Sequence, residues 1–399
     1  MDPRKAVSRE EFRRRVGTVA AAIRREGLEG LLIWSRGAGG YDQCGPVVWL
    51  TNFYNPWGAV PDSSWWSGQG YTAALITPDG RCALVTNIPP HEWDRSLVVC
   101  DQFTDEPFLH LGIATLIRER GLEHGRIGIA GRANVSLHLH ELVSSAVPDA
   151  RLVACDEVIE DAMRPKSTAE QTVIRETGRA ADATMTAMLA ASTPGATERS
   201  VARAGFTAAI EHGSLPFLVA LGTGPAEDRY APSTLPTWST RELATGDLWH
   251  LDLGGMFGGY IFDFARTTVI GGDPTPDQGA MIDASIATVE AVISRIEPGR
   301  PIGDAVSHGL AVRREQAPYQ PSPTKHDYPH LGHTIGLGFG DIWLSEDQGR
   351  PFEPGMYIAV EAVVAREGIG FAMFEQNLLV GRDAVEIVTQ SPERPWRTA

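Results

Sequence analysis

The sequence predicts two domains in tandem, an α/β domain followed by an α+β domain. Three observations predict this. The chain has 399 residues, more than one ordinary hydrophobic core accommodates. Short apolar runs alternate with helical periodicities over about the first 160 residues, an ordinary size for one domain. Beyond the proline of "EDAMRPKSTAEQ" the pattern changes to long helices and then to extended apolar runs. The expected division is residues 1–163 and residues 164–399.

The elements follow in order. Ser8 and Glu11 have the spacing of a capping box, in which a serine and a glutamate three positions on satisfy each other's backbone N–H. Phe12, Val16, Val19 and Ile23 recur behind it at helical spacing, and Gly27 stops the helix. "GLLIW" (30–34), "VVWLTNF" (47–53), "GYTAALI" (70–76) and "CALVT" (82–86) read as strands, because they are short, β-branched or aromatic, and bounded by turn residues. "LGIATLIRERG" reads as a helix, "RIGIAG" as a strand and "VSLHLHELVSSA" as a helix. After Pro165, Ser167 and Glu170 give a second capping box for a long helix with Ile174, Ala181, Met185 and Met188 on one face. Further helices are expected at about 197–212 and 275–297, and strands at 357–364 and 370–380.

Composition limits the function. Fifty acidic against 35 basic residues leave a net charge of -15, which argues against a general nucleic-acid binder and its basic stripe. Four cysteines with no CxxC pair do not make a disulfide scaffold. The N-terminal segment has charges but no apolar stretch behind them, and no apolar run approaches the length of a membrane span. A cytoplasmic protein without membrane or nucleic-acid partners is expected. "YNPWGAVPDSSWWSGQGY" (54–71) carries Trp57, Trp65 and Trp66. Such a loop either folds onto its own domain or covers a substrate or a partner subunit.

The chemistry lies in carboxylates placed inside apolar strands. Asp252 and Asp263 stand eleven positions apart in "HLDLGGMFGGYIFDFART". Glu361 sits between Val360 and Ala362, and Glu375 between Phe374 and Gln376. A buried carboxylate must be paired, hydrogen-bonded or bound to a metal, and the nearby basic residues are few, chiefly Arg266 and Arg366. His333 in "LGHTIGLGFG" adds an imidazole. Carboxylate oxygens with one imidazole suit manganese, iron, cobalt or zinc, and four carboxylates carry charge enough for two divalent ions that activate one water. The glycines between the aspartates allow a tight hairpin with positive φ.

These residues resemble those of the pita-bread metalloenzymes, the family of methionine aminopeptidase, Xaa-Pro aminopeptidase, prolidase and creatinase. The resemblance rests on Gly246-Asp247, Asp252 and Gly254; on Gly259-Tyr260, Asp263 and Arg266-Thr267; on Gly332-His333 with Gly336; and on Pro354-Gly355-Met356 followed by Glu361 and Glu375. It covers residues 165 to about 385 well, and the N-terminal half more loosely. It implies a creatinase-like α/β domain ahead of a pita-bread catalytic domain, with Asp252, Asp263, His333, Glu361 and Glu375 holding one or two divalent ions. It also implies a homodimer. The peptidases of the family carry a second histidine seven residues after the metal histidine, within H-E-x-P, and another eighteen residues before the first aspartate. Here those places hold Gly340, with Asp341 and Trp343 nearby, and Thr234.

The resemblance and its departures lead to a metal-dependent enzyme for a small polar substrate bearing a carboxylate or carbonyl group, acting by C–N hydrolysis or elimination. Xaa-Pro peptidase activity is the alternative, and a binding protein that has lost catalysis is a third reading. Glu361 and His330 are the expected acid/base residues, with a structural role open for His330. Tyr230, Asp341, Trp343, Trp65 and Trp66 are expected to meet the substrate.

Overall fold

The computed structural model describes residues 6–37, 45–58, 60, 63–64, 70–88, 94–223, 236–316, 330–366 and 368–395. The chain divides into two compact units, Met1–Arg164 and Pro165–Ala399.

The first unit is built from α1 (Arg9–Arg25), β1 (Gly30–Arg36), α2 (Gly45–Thr51), β2 (Tyr71–Ile76), β3 (Cys82–Thr86), β4 (Gln102–Asp105), α3 (Leu109–Glu119), β5 (Arg126–Ala130), α4 (Leu137–Ala146), β6 (Arg151–Ala154) and α5 (Glu157–Met163). Its six strands form one mixed sheet in the order β4-β3-β2-β1-β5-β6. Leu32, Trp34, Leu75, Val85, Ile113, Ile117 and Ile129 are buried together in its core. Ser8 caps α1 by accepting from the Glu11 N–H, but the Glu11 carboxylate engages Arg14 and Arg15. Gly27 then ends the helix with φ +62°.

One expected strand is a helix. Residues 45–51 of "GPVVWLT" form α2, with the Thr51 hydroxyl donating to the Val47 carbonyl 2.7 Å away. A short apolar run does not distinguish a buried strand from a buried helix turn. Pro46 in the first helical turn, where its missing N–H has no helical partner to lose, favours the helix. The strands β4 and β6 and the helix α5 were not expected. The two strands are four residues each and half-exposed, too short to show an alternation.

The second unit contains α6 (Thr168–Ala191), α7 (Glu198–Glu211), β7 (Leu215–Thr223), β8 (Leu248–Phe257), β9 (Tyr260–Val269), α8 (Pro276–Ile293), α9 (Ile302–Glu315), β10 (His330–Ile335), β11 (Phe339–Ser345), β12 (Tyr357–Arg366), β13 (Gly370–Val380) and β14 (Val385–Ile387). The Ser167–Glu170 capping box is present, and Ile174, Ala181, Met185 and Met188 are buried. Two antiparallel sheets result, β7-β8-β9 and β11-β10-β12-β13-β14. Helices α6 and α7 share a core with the first sheet through Met185, Met188, Trp249, Leu251 and Phe264. Helices α8 and α9 share one with the second through Ile286, Val289, Leu310, Ile358 and Phe374. Each sheet thus keeps one face for packing and frees the other for polar residues. Among the described residues, no helix is long and apolar enough to cross a membrane.

Candidate metal centre

Strand pairing places the acidic residues. In the β8–β9 hairpin Asp252 lies opposite Ala265 and Asp263 opposite Gly254. Side chains alternate along a strand, so both carboxylates share one face, two residues apart along the ladder. Gly258 and Gly259 make the tip with φ of +59° and +88°, a conformation that side chains disfavour. In the β12–β13 hairpin Glu361 lies directly opposite Glu375. Like charges facing each other across a ladder are unfavourable, so this pair needs a cation or a bound proton. His333 lies opposite Ala359, on the same face as Glu361. The glycine-rich segment around His333 forms strand β10. Gly332 fits it because its φ is +127° and a Cβ there would overlap the Ala359 carbonyl.

The two sheets meet at this centre, and side chains make the seam. The Asn377 carboxamide accepts from the Asp263 N–H at 3.1 Å and donates to the Asp263 carbonyl. Thr267 Oγ1 donates to the Met373 carbonyl and accepts from the Met373 N–H, both at 2.9 Å. The fully buried Arg266 guanidinium donates to the Glu375 carbonyl at 2.6 Å and to Gln376 Oε1 at 3.0 Å. Strands β9 and β13 are therefore stitched by side-chain rungs that fix the backbone of two acidic residues. Asn377 was not anticipated, nor was the part that Thr267 and Arg266 take in this seam. Their signal was present: Gln376 and Asn377, like Glu375, are polar residues inside an apolar strand, which burial tolerates only when they are bonded. Asn377→Ala should cost about 2–4 kcal/mol, since a buried group stripped of its partner costs about 1–3 kcal/mol. Urea unfolding of the metal-free protein measures it, and a loss under about 1 kcal/mol would remove the stitch from the account.

Asp263, His333 and Glu375 each point one donor atom at a common point, all three atoms lying within 4.8 Å of one another. Asp252 and Glu361 flank this group, one along the ladder from Asp263 and the other facing Glu375. All five are buried. Arg266 serves the seam and only partly offsets Glu375, and Arg366 pairs with Asp277. His333 Nδ1 lies 3.2 Å from the Thr334 carbonyl, which can only accept. With its N–H on Nδ1, the ring has Nε2 3.6 Å from Asp263 Oδ2, donating to that carboxylate as an imidazolium and offering a lone pair to an ion once deprotonated. That tautomer and that donor set suit a divalent ion.

Burial raises the Glu361 carboxyl to about 7, with Asp263 adding to the rise and His333 opposing it. Burial, and then Asp263, Glu361 and Asp252, hold Glu375 well above the ordinary carboxyl range. For His333, burial works against the charged form but is outweighed by Asp263 and Glu361, and its pKa rises. Burial, with His333 nearby, lowers His330 to about 4. Its Nδ1 lies 3.8 Å from Glu361 Oε1, a spacing suited to an ion pair, but at neutral pH this imidazole carries no charge to contribute to one.

Aromatic rings close one side. His333 is flanked by Phe339 and Trp343, at ring-centroid distances of 4.8 and 5.3 Å, and His330 lies 4.1 Å from Trp343. The register between β10 and β11 shifts around His333, and such irregularities re-aim side chains. Asp341 and Trp343 face outward while Ile342 and Leu344 are buried. Gly340 admits no side chain in this conformation, because a Cβ would overlap Thr334 Oγ1. That hydroxyl accepts from the Ile342 N–H at 3.2 Å. The structure therefore brings together Asp252, Asp263, His333, Glu361, Glu375, His330 and Trp343, while Asp341 is exposed on β11. Tyr230, Thr234, Trp65 and Trp66 lie outside the described residues. Trp57 is described, and about half of it is exposed.

Buried acidic residues with one histidine, at the seam of two helix-backed antiparallel sheets, form a candidate metal centre in a fold of the pita-bread class. The chain belongs to metallopeptidase family M24, whose pattern matches residues 172–382. It is similar to a creatinase from Bacillus sp., with 24% identity over 81% of each chain. It also resembles an Xaa-Pro dipeptidase from Pyrococcus furiosus, with 24% identity over 66% of this chain and 74% of that one. The prolidase structure from Pyrococcus horikoshii matches 95% of this chain and 99% of its own with a TM-score of 0.77 at 18% identity. The dipeptidase PepE structure from Mycobacterium ulcerans matches 97% and 98% with a TM-score of 0.75 at 22% identity. At such identities the structures establish the fold alone.

Proposed function

We propose that the protein hydrolyses a C–N bond in a small substrate bearing a carboxylate or carbonyl group, using one or two divalent ions of manganese, iron, cobalt or zinc. Asp252, Asp263, His333, Glu361 and Glu375 are the proposed ligands. A bound ion would supply Lewis acidity toward the carbonyl and make a water acidic near neutral pH. Glu361, opposite Glu375 across the ladder, would accept a proton from the attacking water and return it to the leaving nitrogen. His330, neutral, with Nδ1 3.8 Å from Glu361 Oε1 and its ring on Trp343, lines the approach to that carboxyl. The seam holds Asp263 and Glu375 in place during turnover.

The observation that carries this reading is the assembled acidic centre beside a position, Gly340, that Thr334 closes to any side chain. The place where the resemblance puts a second histidine is sterically unavailable, so the ordinary peptidase donor for a developing oxyanion is missing, and such donors are a large catalytic contribution. A second reading, cleavage of Xaa-Pro dipeptides, is favoured by the relatives of similar length named dipeptidase or prolidase. Metal-loaded protein assayed against an Xaa-Pro panel and a panel of small amides and ureas separates the two. The small C–N substrates should be turned over, with the dipeptides below roughly 10⁴ M⁻¹s⁻¹ in kcat/KM. Dipeptide turnover at or above that value would replace this reading with the second.

A further inference from the structure

The outer strand of the second sheet carries an aromatic residue whose exposure nothing in the reaction above uses. Trp343 is 49% exposed although its ring packs on His330 at 4.1 Å and on His333 at 5.3 Å. The two imidazoles hold the indole in place without covering it. Strand β11 is the edge of its sheet, and its buried residues Ile342 and Leu344 fix which way Trp343 faces. Asp341 is exposed on the same side, two residues away. Gly340 contributes no side chain between them and Phe339. The segment 330–345 contains no lysine or arginine.

We propose that Trp343, with Asp341 beside it, forms a cation-binding wall next to the metal centre, and that the substrate carries a methylated ammonium group in addition to its carbonyl. This deepens the hydrolytic reading and rests on it for the identity of the substrate. A cation over an indole face is attracted by the ring quadrupole, and most strongly where water is partly excluded. A methylated ammonium suits an aromatic wall better than a primary amine does, because its methyl groups meet the ring and it donates no hydrogen bond that would then go unmet. With no lysine or arginine on β11, the anionic or carbonyl end of such a substrate lies toward the metal ligands and the cationic end toward Trp343.

Isothermal titration of the metal-loaded protein tests this with two probes of the same shape, choline and its uncharged carbon isostere 3,3-dimethylbutan-1-ol. Choline should bind at least about tenfold more tightly than the isostere, a difference of about 1.4 kcal/mol. Trp343→Leu should weaken choline at least tenfold and leave the isostere within about twofold, Trp343→Phe should restore most of the choline affinity, and Asp341→Asn should weaken choline alone by about threefold. Metal content equal to that of the parent protein shows in each variant that the centre is intact. Equal binding of the two probes, no binding of choline, or choline binding unchanged in Trp343→Leu would overturn the proposal. Choline binding that follows this pattern in a protein that hydrolyses no small C–N substrate would leave the wall standing and remove the reaction.

Discussion

Glu375→Gln should lose at least one metal ion and cut turnover on the order of 10³-fold or more, while the metal-free protein loses no stability. Partners that merely orient a ligand cost 10–100-fold when removed, and Glu375 is one of the three residues whose donor atoms converge. Glutamine keeps the shape and the hydrogen-bonding capacity of the protonated carboxyl, and burial already favours that protonated form. The parent protein should gain about 4 kcal/mol from metal at a thousandfold excess over Kd, and the variant much less. Asp263→Asn should lose metal and turnover to a similar extent, since Asp263 is another of the three. Metal analysis, turnover and thermal melts with and without metal read all of this from one preparation. Full metal content and activity in both variants would dispose of the assignment.

The metal-free protein should lose stability as pH rises, and should take up metal more tightly over the same range. A group whose pKa is raised by folding stabilises below its unfolded value and stops doing so as pH passes the folded value. Glu361 rises from 4.5 to about 7, Glu375 is raised well above 4.5 in the same direction, and His333 rises from 6.5. His330, lowered to about 4, works oppositely: its contribution is lost as pH falls from 6.5 toward 4. Below pH 6.5 the two carboxyls outnumber that one imidazole, and above it nothing opposes them. Measured against Glu375→Gln, which does not titrate at that position, the parent should fall by up to about 1.4 kcal/mol per pH unit between pH 5 and 7. Metal must displace these protons, so its affinity should rise at least about tenfold per unit between pH 5.5 and 7. A metal-free stability difference that is flat across this window would mean that the carboxyls are already ionised.

Much of the centre was legible because burial is informative only when a residue contradicts it. Asp252, Asp263, Glu361 and Glu375 stood out as charges inside strands that otherwise read as core, and alternation alone assigned their faces. The same contrast was available for Gln376 and Asn377, but neutral amides contradict an apolar strand less sharply than carboxylates do. Trp343 could be named, whereas its stacking on His330 depends on the β10–β11 register shift, which no alternation pattern encodes. In the first unit Ser8 as N-cap and Gly27 as terminator were readable because each acts within one turn. Helix α2 was misread because its short apolar run fits a strand as well as a helix turn, and the local signal of Pro46 at its start was passed over.

The stitched seam has a consequence for the order of events in the life of the chain. The amide that frames Asp263 comes from a residue 114 positions later, and the outermost proposed ligands, Asp252 and Glu375, are themselves far apart in sequence. A ribosome that has exposed only the first hairpin has exposed two carboxylates and no cage. Metal therefore cannot template this region as it emerges. An ion held by the proposed set would then load only after the strand that carries Glu375 has been made.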